Sequence, residues 1–231
     1  KKGRRQKRKT DPILKDRVYR IREEFHSCCG EKIRYWMFRR YGSAPSLTTI
    51  SRILGARYQL RPKGQRNRKR GPVPHAEKPR EVLQMDTVDF GDVFAFTSVD
   101  ICTREAAVVL EPALDAPAGA HALTQQMLFF GPVCLIQRDG GPEFMAEWET
   151  VAPQYAQQIR TARPYKKNEQ AFIESFNRTL RKECLGWLKY RRDQLPELQA
   201  RVEVFLRFYN TERPHLSLKM STPTDRLSHL R

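Results

Sequence analysis

Apolar residues in the first quarter of the chain recur at helical spacing in three short segments. The first opens with the Asp11-Pro12 pair, which suits a helix start. The second covers 31–40, and a Gly-containing break separates it from a third that begins at Ser46. Three short helices with such a break predict a helix-turn-helix domain over 11–60, with the last helix as its recognition helix.

From Val82 onward the pattern changes to short apolar, β-branched runs separated by polar turns, which is typical of strands. Three such runs come first, and helical and strand-like segments then alternate. This order predicts an α/β domain over 81–192 with a mixed five-stranded sheet and flanking helices. Helical segments are expected over 117–130, 143–152 and about 169–190, and as a C-terminal helical extension over 193–231.

Charge is distributed unevenly along the 231 residues, whose net charge is +17. Residues 1–80 contain 25 Lys+Arg and 6 Asp+Glu, a balance of +19, whereas 81–231 contain 18 and 20, a balance of −2. Stretches 1–10 and 61–80 lack apolar periodicity and are interpreted as a basic arm and a basic linker. Because Lys and Arg neutralise phosphates, a nucleic acid is the expected partner. The alternative for the basic charge is a solubilising or targeting tail, and the alternative for the three helices is a generic three-helix packing module.

Cysteine usage and hydropathy narrow the protein class further. The five cysteines form no C-x-x-C pair, so a zinc site or a disulfide framework is not indicated. Neither a signal peptide nor an apolar run near 18 residues is present. We therefore expect a cytoplasmic, nucleoid-associated protein that binds no membrane.

Three carboxylates stand out by their context. Asp86 lies within an apolar strand, where a charge is costly to bury unless it is paired or bound to metal. Asp139 follows the buried strand VCLIQR, and strand ends are common sites in α/β domains. Glu174 lies on a helix whose apolar stripe leaves it on another face. Each carboxylate alone is weak evidence for a functional site. The order of an Asp within a strand, an Asp at a strand end and a Glu on a helix is more specific evidence.

Carboxylates that meet in one place require cations or protons. At about 4 Å two of them repel by roughly 4 kcal/mol at an effective dielectric of 20. Hard oxygen ligands without nearby His or Cys favour Mg²⁺ or Mn²⁺ over zinc. Two such ions activate a water or a 3′-hydroxyl for in-line attack on phosphorus.

These motifs resemble the integrase core domain of bacterial insertion-sequence transposases and retroviral integrases, which has an RNase H-like fold. The resemblance covers 82–227, with Asp86, then Asp139-Gly-Gly-Pro-Glu-Phe, then Glu174 35 residues later. SFNRTLRKE and the closing motif between Tyr209 and Pro223 also resemble the family, as does the preceding helical domain. The departures are Gly140, where many relatives have Asn, and the segment KKNEQAFIE, where relatives often carry Pro and Gly.

The resemblance implies a DDE-type transposase or integrase with Asp86, Asp139 and Glu174 as catalytic metal ligands for two Mg²⁺ or Mn²⁺ ions. It also implies cleavage at mobile-element ends and transfer of the 3′-hydroxyl into double-stranded target DNA by a homo-oligomer. A nuclease of the same fold that cuts without joining, or a catalytically idle DNA-binding relative, are the alternatives.

Polar and basic side chains on the recognition helix, in the linker and around the Glu174 helix are the expected DNA contacts. They are Thr48, Thr49, Ser51, Arg52, Arg57, Arg66, Arg68, Lys69, Arg70, Lys166, Lys167, Asn177, Arg178 and Arg181.

Four further residues are rivals for a place in the site. Asp89 is expected on the opposite strand face from Asp86, and Glu169 about 140° round the helix from Glu174. Glu143 is expected near the site with a positioning role at most. His215 is expected to pack or hydrogen-bond after the Arg213-Pro214 turn, not to act as a base.

Overall fold

A computed structural model describes residues 10–25, 28–60, 73–163 and 168–230. The chain divides into two compact units between residues 66 and 67, and each has its own core. No helix within the described ranges is long and apolar enough to span a membrane.

The N-terminal unit consists of three helices: α1 (Pro12–Glu24), α2 (Gly30–Tyr41) and α3 (Leu47–Gly55). Side-chain caps fix two of their starts, because the backbone N–H of Ile13 bonds Asp11 and that of Thr49 bonds Ser46. The apolar stripes meet in a small core of Val18, Ile21, Ile33, Met37, Ile50, Ile53 and Leu54. The three predicted helices are present, and their DNA-binding role stays a prediction.

The larger unit is built on a five-stranded mixed sheet with the order β3-β2-β1-β4-β5. Strands β1, β2 and β3 are antiparallel neighbours, whereas β4 is parallel to β1 and β5 is parallel to β4. The mixed sheet is therefore confirmed. The strands are β1 (Val82–Asp89), β2 (Phe94–Asp100), β3 (Ala106–Glu111), β4 (Val133–Arg138) and β5 (Ala156–Thr161).

Helices cover both faces of this sheet. Leu83 and Met85 of β1 share a core with α4 (Ala116–Phe130) and α5 (Glu147–Val151). Val88 belongs to the opposite core, which contains α6 (Ala171–Leu180) and α7 (Leu195–Thr211); a short α8 (Pro223–Ser228) follows. Because strand side chains alternate, Gln84 and Asp86 lie on the α6 side with Val88.

Two predicted helices are shorter than expected. The helix expected over 169–190 starts at Ala171, continues as a π-helical turn over Arg181–Leu185 and stops at Gly186, whose φ is 75°. The helix expected over 143–152 is interrupted at Ala146, whose φ of 46° is not helical, and only α5 remains α-helical. The side chains of both segments therefore point in other directions than they would on an uninterrupted helix.

Candidate active site

Asp86 is held in a fixed orientation on the α6 side of β1. Its Oδ1 accepts a hydrogen bond of 2.9 Å from the backbone N–H of Thr87, and its Oδ2 accepts one of 2.7 Å from Nδ2 of Asn177 on α6. The Thr97 hydroxyl on β2 donates to the Asp86 backbone carbonyl at 3.0 Å. The carboxylate is therefore presented by the strand and clamped by the helix.

The electrostatic state of Asp86 is unusual for an aspartate. Burial raises its pKa to about 7, and repulsion from Asp139, Glu143 and Glu174 adds to that rise, although the Thr87 hydrogen bond opposes it. The carboxylates of Asp139, Glu143 and Glu174 are therefore close enough to Asp86 to repel it electrostatically, although they come from different elements. A carboxyl group whose pKa is strongly raised beside other carboxylates is a marker of functional sites.

Asp139 and Glu143 come from the segment after β4. Asp139 follows the last residue of that strand, and its Oδ1 accepts a 3.0 Å hydrogen bond from the Gly141 backbone N–H. Glu143 is 5% exposed, and its Oε2 has no hydrogen-bond partner among the described residues. Its carboxylate lies where a Cβ at Gly141 would be, so a side chain there would displace it. An unpartnered buried carboxylate oxygen is costly unless a cation or a proton meets it.

Glu174 lies in the first turn of α6 and is exposed, whereas Ile173 and Phe176 beside it are buried. The helix thus packs its apolar stripe against the sheet and leaves one carboxylate at the solvent-facing edge. Asn177 was expected to contact DNA. Instead it is 9% exposed and directed at Asp86, so its role is to position that carboxylate.

The chemical type of the donor atoms fits a hard divalent cation, but the donors are not arranged as a preformed metal site. Carboxylate oxygens from Asp86, Asp139, Glu143 and Glu174 are the ligand type that Mg²⁺ and Mn²⁺ prefer. Within the described ranges, however, no three His, Cys, Asp or Glu side chains have converged into a metal-binding group. The fit rests on the elevated pKa of Asp86 and on the unpartnered Glu143 oxygen.

A buried polar bracket sets the position where α6 begins. The Glu169 backbone carbonyl accepts hydrogen bonds from Gln84 at 2.5 Å and from Gln137 at 2.8 Å, and the Ile173 N–H donates to Gln84 Oε1 at 3.1 Å. Glu169 therefore lies in the turn before α6 and not on it. The bracket ties β1 and β4 to the helix that carries Glu174.

The Glu169 side chain adds further contacts to this bracket through two arginines. Arg163 donates its backbone N–H to Oε2 at 2.9 Å and its Nε to Oε1 at 2.7 Å, and Arg160 lies 3.3 Å away. These bonds lower the pKa of Glu169 to about 2. The sequence signal for this role was only a Glu five residues before Glu174.

Glu169→Gln is expected to lower the free energy of unfolding by about 1–3 kcal/mol, because charge-assisted hydrogen bonds to Arg163 are lost. Since the folded pKa lies below the unfolded value near 4.3, this stabilisation is present above pH 4.3 and is lost as pH falls towards 2. Urea unfolding between pH 3 and pH 7 measures it. Glu203→Gln, on the exposed face of α7, is the control, and an equal effect of both substitutions would contradict the bracket.

The expected DNA contacts are placed unevenly. Thr48, Ser51 and Arg52 are exposed on α3, whereas Thr49 is half-buried and bonds the Ser46 cap. Arg57 is exposed after α3 and pairs with Glu23 at 2.8 Å. The residues Arg66, Arg68, Lys69, Arg70, Lys166 and Lys167 lie outside the described residues.

On α6 the two arginines differ. Arg178 is exposed. Arg181 donates to the Asp89 backbone carbonyl at 3.1 Å and stacks over the rings of Phe90 and Trp187. Arg178 is thus exposed one turn after Glu174, whereas Arg181, which follows the last residue of α6, is engaged by protein atoms.

Two rivals occupy structural positions. Asp89 is exposed at the end of β1 and pairs with Lys189 at 2.7 Å. His215 is 6% exposed; its Nε2 lies 3.2 Å from the Tyr209 backbone carbonyl and its ring packs edge-on against Tyr209. The expectation that His215 packs and hydrogen-bonds after the Arg213-Pro214 turn is confirmed.

Sequence comparisons now place the chain among known proteins. The family model of the integrase core domain matches residues 155–223. The insertion element IS407 uncharacterized 31.7 kDa protein of Burkholderia multivorans is 29% identical over 159 residues, which is 64% of this chain. The corresponding IS476 39.2 kDa protein of Xanthomonas euvesicatoria is 26% identical over 206 residues, or 85% of the chain. The chain spans 55% of the length of each of these relatives.

Solved structures show the same fold. A chain of the simian T-cell lymphotropic virus intasome, solved with PP2A regulatory subunit B56 gamma, aligns over 91% of this chain and 74% of its own, with a TM-score of 0.59 and 15% identity. The HTLV-2 integrase catalytic core in complex with magnesium aligns over 65% of this chain and 98% of its own, with a TM-score of 0.52 and 16% identity. The BIV integrase core gives a TM-score of 0.51, 19% identity and coverages of 65% and 95%. The family model over the C-terminal part of the chain, the two insertion-element relatives and the RNase H-like fold therefore all show that the chain is similar to insertion-element proteins and integrases that carry the integrase core domain.

Proposed function

We propose that this chain is the catalytic part of an insertion-element transposase, which cuts DNA at the ends of its element and joins them to target DNA. The observation that carries the proposal is Asp86, a half-buried carboxylate fixed by Thr87 and Asn177, whose pKa is raised to about 7 by burial and by repulsion from Asp139, Glu143 and Glu174. A fold without a ligand for these groups gains nothing from their mutual repulsion.

Asp86, Asp139 and Glu174 would hold the divalent ions, and Glu143 is a fourth oxygen donor beside them. Two Mg²⁺ or Mn²⁺ ions would supply Lewis acidity, activating a water or a 3′-hydroxyl and stabilising the leaving oxygen. The similar HTLV-2 integrase core is in complex with magnesium, which supports this choice of ion.

The chain's own residues orient the donors. Asn177 and Thr87 fix the two oxygens of Asp86, and the Gly141 N–H fixes one oxygen of Asp139. The Glu169 bracket holds α6, so Glu174 keeps its place relative to β1 and β4. Rigid placement of this kind lowers the cost of bringing the reacting groups together.

Double-stranded DNA is the proposed partner, and the basic N-terminal third is its proposed main binding surface. Exposed Thr48, Ser51 and Arg52 on α3 would read or position the duplex, and Arg178 would hold a phosphate near Glu174. A homo-oligomer is proposed because the two ends of the element must be held together while each is joined to the target DNA. The intasome among the similar structures is in accord with such an assembly.

The second candidate is a metal-dependent nuclease that cuts without joining. It uses the same carboxylates, because activation of water or of a 3′-hydroxyl needs the same ions. The product therefore separates the two functions: a nuclease releases ends, and a transposase attaches them to a second duplex.

A strand-transfer reaction tests the proposal. We expect wild type, given a labelled duplex with an end of the encoding element and Mg²⁺ or Mn²⁺, to form joined products, and Glu174→Gln to form at least about a thousandfold less. The measurement is the initial rate of joined product on a denaturing gel. Glu203→Gln serves as the control because it removes an exposed carboxylate far along the chain on α7.

Each outcome assigns a function. Joined product from wild type and from the control, but not from Glu174→Gln, supports a transposase with Glu174 as a ligand. Cleavage without joining selects the nuclease. Tight DNA binding without any metal-dependent product selects the idle relative.

A further inference from the structure

A cavity of about 430 Å³ lies in the larger unit, apart from the carboxylate cluster. Its walls are formed by residues 74–76 before β1, the turn between β2 and β3, the start of α6 and the C-terminal segment from 217 to 229. Its basic lining residues are His75, Arg104, Lys219, Arg226 and His229, with no Asp or Glu among the lining residues.

Arg104 is the central feature of the wall. Its guanidinium lies 3.7 Å from the centre of the Phe172 ring, and its Nη1 is enclosed without a hydrogen-bond partner in the described part of the chain. Burial also lowers its pKa from the usual value, since the charged form is partly desolvated. Because Nη1 is enclosed by protein atoms, an anion in the cavity would act on the charge of the guanidinium as a whole and would offset part of the cost of desolvating it.

The carboxylates of Asp100 and Glu105 form their ion pairs with Arg80 and not with Arg104. Asp100 accepts from the backbone and the side chain of Arg80 at 2.7 and 3.0 Å, and Glu105 lies 2.9 Å from the same guanidinium. The other Asp100 oxygen accepts from the backbone N–H groups of Cys102 and Thr103. Asp100 attracts the charge of Arg104 from a distance, but no carboxylate of the described residues forms an ion pair with Arg104.

Backbone strain marks the same cavity. Arg104 has a φ of 67° and Lys219 one of 55°, a region that residues with a Cβ adopt rarely. Such strained conformations cluster at functional sites. Lys219 and Arg226 are exposed, so two cations lie at the solvent side of the half-buried Arg104.

We propose that this cavity is a phosphate-binding site in which Arg104 supplies the buried positive charge and Lys219 and Arg226 close the rim. Three cations without a carboxylate suit a group with several oxygens and up to two negative charges better than a single carboxylate. The volume exceeds that of one phosphate and admits the attached sugar or base. The phosphate comes either from a DNA strand or from a free nucleotide. Its origin in DNA rests on the proposed function, whereas the phosphate chemistry does not.

The test is a calorimetric titration of the full chain with inorganic phosphate and with thymidine 5′-monophosphate at constant ionic strength. Anisotropy with a 20-base-pair duplex runs alongside it. Arg104→Gln removes the buried charge, and Lys219→Asn removes a rim charge with a residue that tolerates positive φ. Arg207→Gln, on exposed α7, is the control for loss of one charge.

We expect Arg104→Gln to weaken binding of both small probes by about tenfold or more, Lys219→Asn to weaken it less, and Arg207→Gln to leave it unchanged. Weaker duplex binding by Arg104→Gln assigns the phosphate to DNA; unchanged duplex binding assigns it to a free nucleotide. Small-probe affinity that is absent in wild type, or equal in wild type and both cavity variants, overturns the proposal. Asp86→Asn must keep phosphate binding even where strand transfer fails, which separates this proposal from the proposed function.

Discussion

Asp86→Asn is expected to reduce metal-dependent cleavage and joining by at least about a thousandfold while leaving DNA affinity within about twofold of wild type. The loss follows because an amide is a weaker ligand than a carboxylate, and metal catalysis contributes several kcal/mol. DNA affinity is preserved because the excess positive charge lies in residues 1–80. Product rates and duplex anisotropy measured on the same preparation check both halves.

The fold of this variant can be checked through its pH dependence. In the metal-free wild type the pKa of Asp86 is about 7, above its unfolded value near 3.9, so ionisation disfavours the folded state. Stability of wild type should therefore fall as pH rises from about 4 to 7 and then level off. Asp86→Asn lacks that loss, so at pH 8 its Tm should exceed that of wild type by on the order of 5 °C. Near pH 4 the two should melt alike.

Divalent metal should reverse the order of the two melting temperatures at pH 8. Mg²⁺ or Mn²⁺ raises the Tm of wild type at pH 8, since only the folded carboxylates bind the ion, and it leaves Asp86→Asn unchanged. A variant that is less stable than wild type at every pH would show that its lost activity came from misfolding. Normal joining by a folded variant would remove Asp86 from the proposed mechanism.

Much of this architecture follows from local patterns in the sequence. Asp11 and Ser46 cap the first and third helices because their side-chain oxygens meet free N–H groups, a signal that can be read locally. The three apolar runs after Val82 and the later run VCLIQR formed strands β1 to β4, since β-branched runs between polar turns have few other ways to bury themselves. Asp86 stood out because it is a charge inside such a run.

The supporting residues of the site depend on contacts that no local pattern contains. Asn177 lies at the edge of the apolar stripe of α6, and only the docking of that helix against β1 decides that it faces Asp86. Gln84 and Gln137 precede Glu169 by 85 and 32 residues, yet both side chains meet its backbone carbonyl through the sheet. Spacing on one helix therefore misplaced Glu169 and Asn177, whereas the strand and helix assignments did not depend on such pairings.

Removal of residues 1–72 is expected to weaken duplex binding by on the order of a hundredfold or more at low salt and to flatten its salt dependence. These residues contain 23 Lys+Arg and 5 Asp+Glu, whereas 73–231 contain 20 and 21. Each phosphate contact that is lost should reduce the slope of log affinity against log salt by about 0.9. Anisotropy of a labelled duplex across a range of KCl concentrations measures both quantities.

The end point of this truncation follows from the structure. Arg80 must stay, because its guanidinium pairs with buried Asp100 and Glu105, and its loss would leave two buried carboxylates without their partner. Residues 73–231 retain both cores of the sheet, so circular dichroism and a cooperative melt should verify that the fragment is folded. If the folded fragment binds DNA as tightly as the full chain, or if the affinity of the full chain is independent of salt, phosphate neutralisation by the N-terminal third does not drive binding. The main DNA surface would then lie on the sheet domain, where Arg178 and the cations around Arg104 are the remaining candidates.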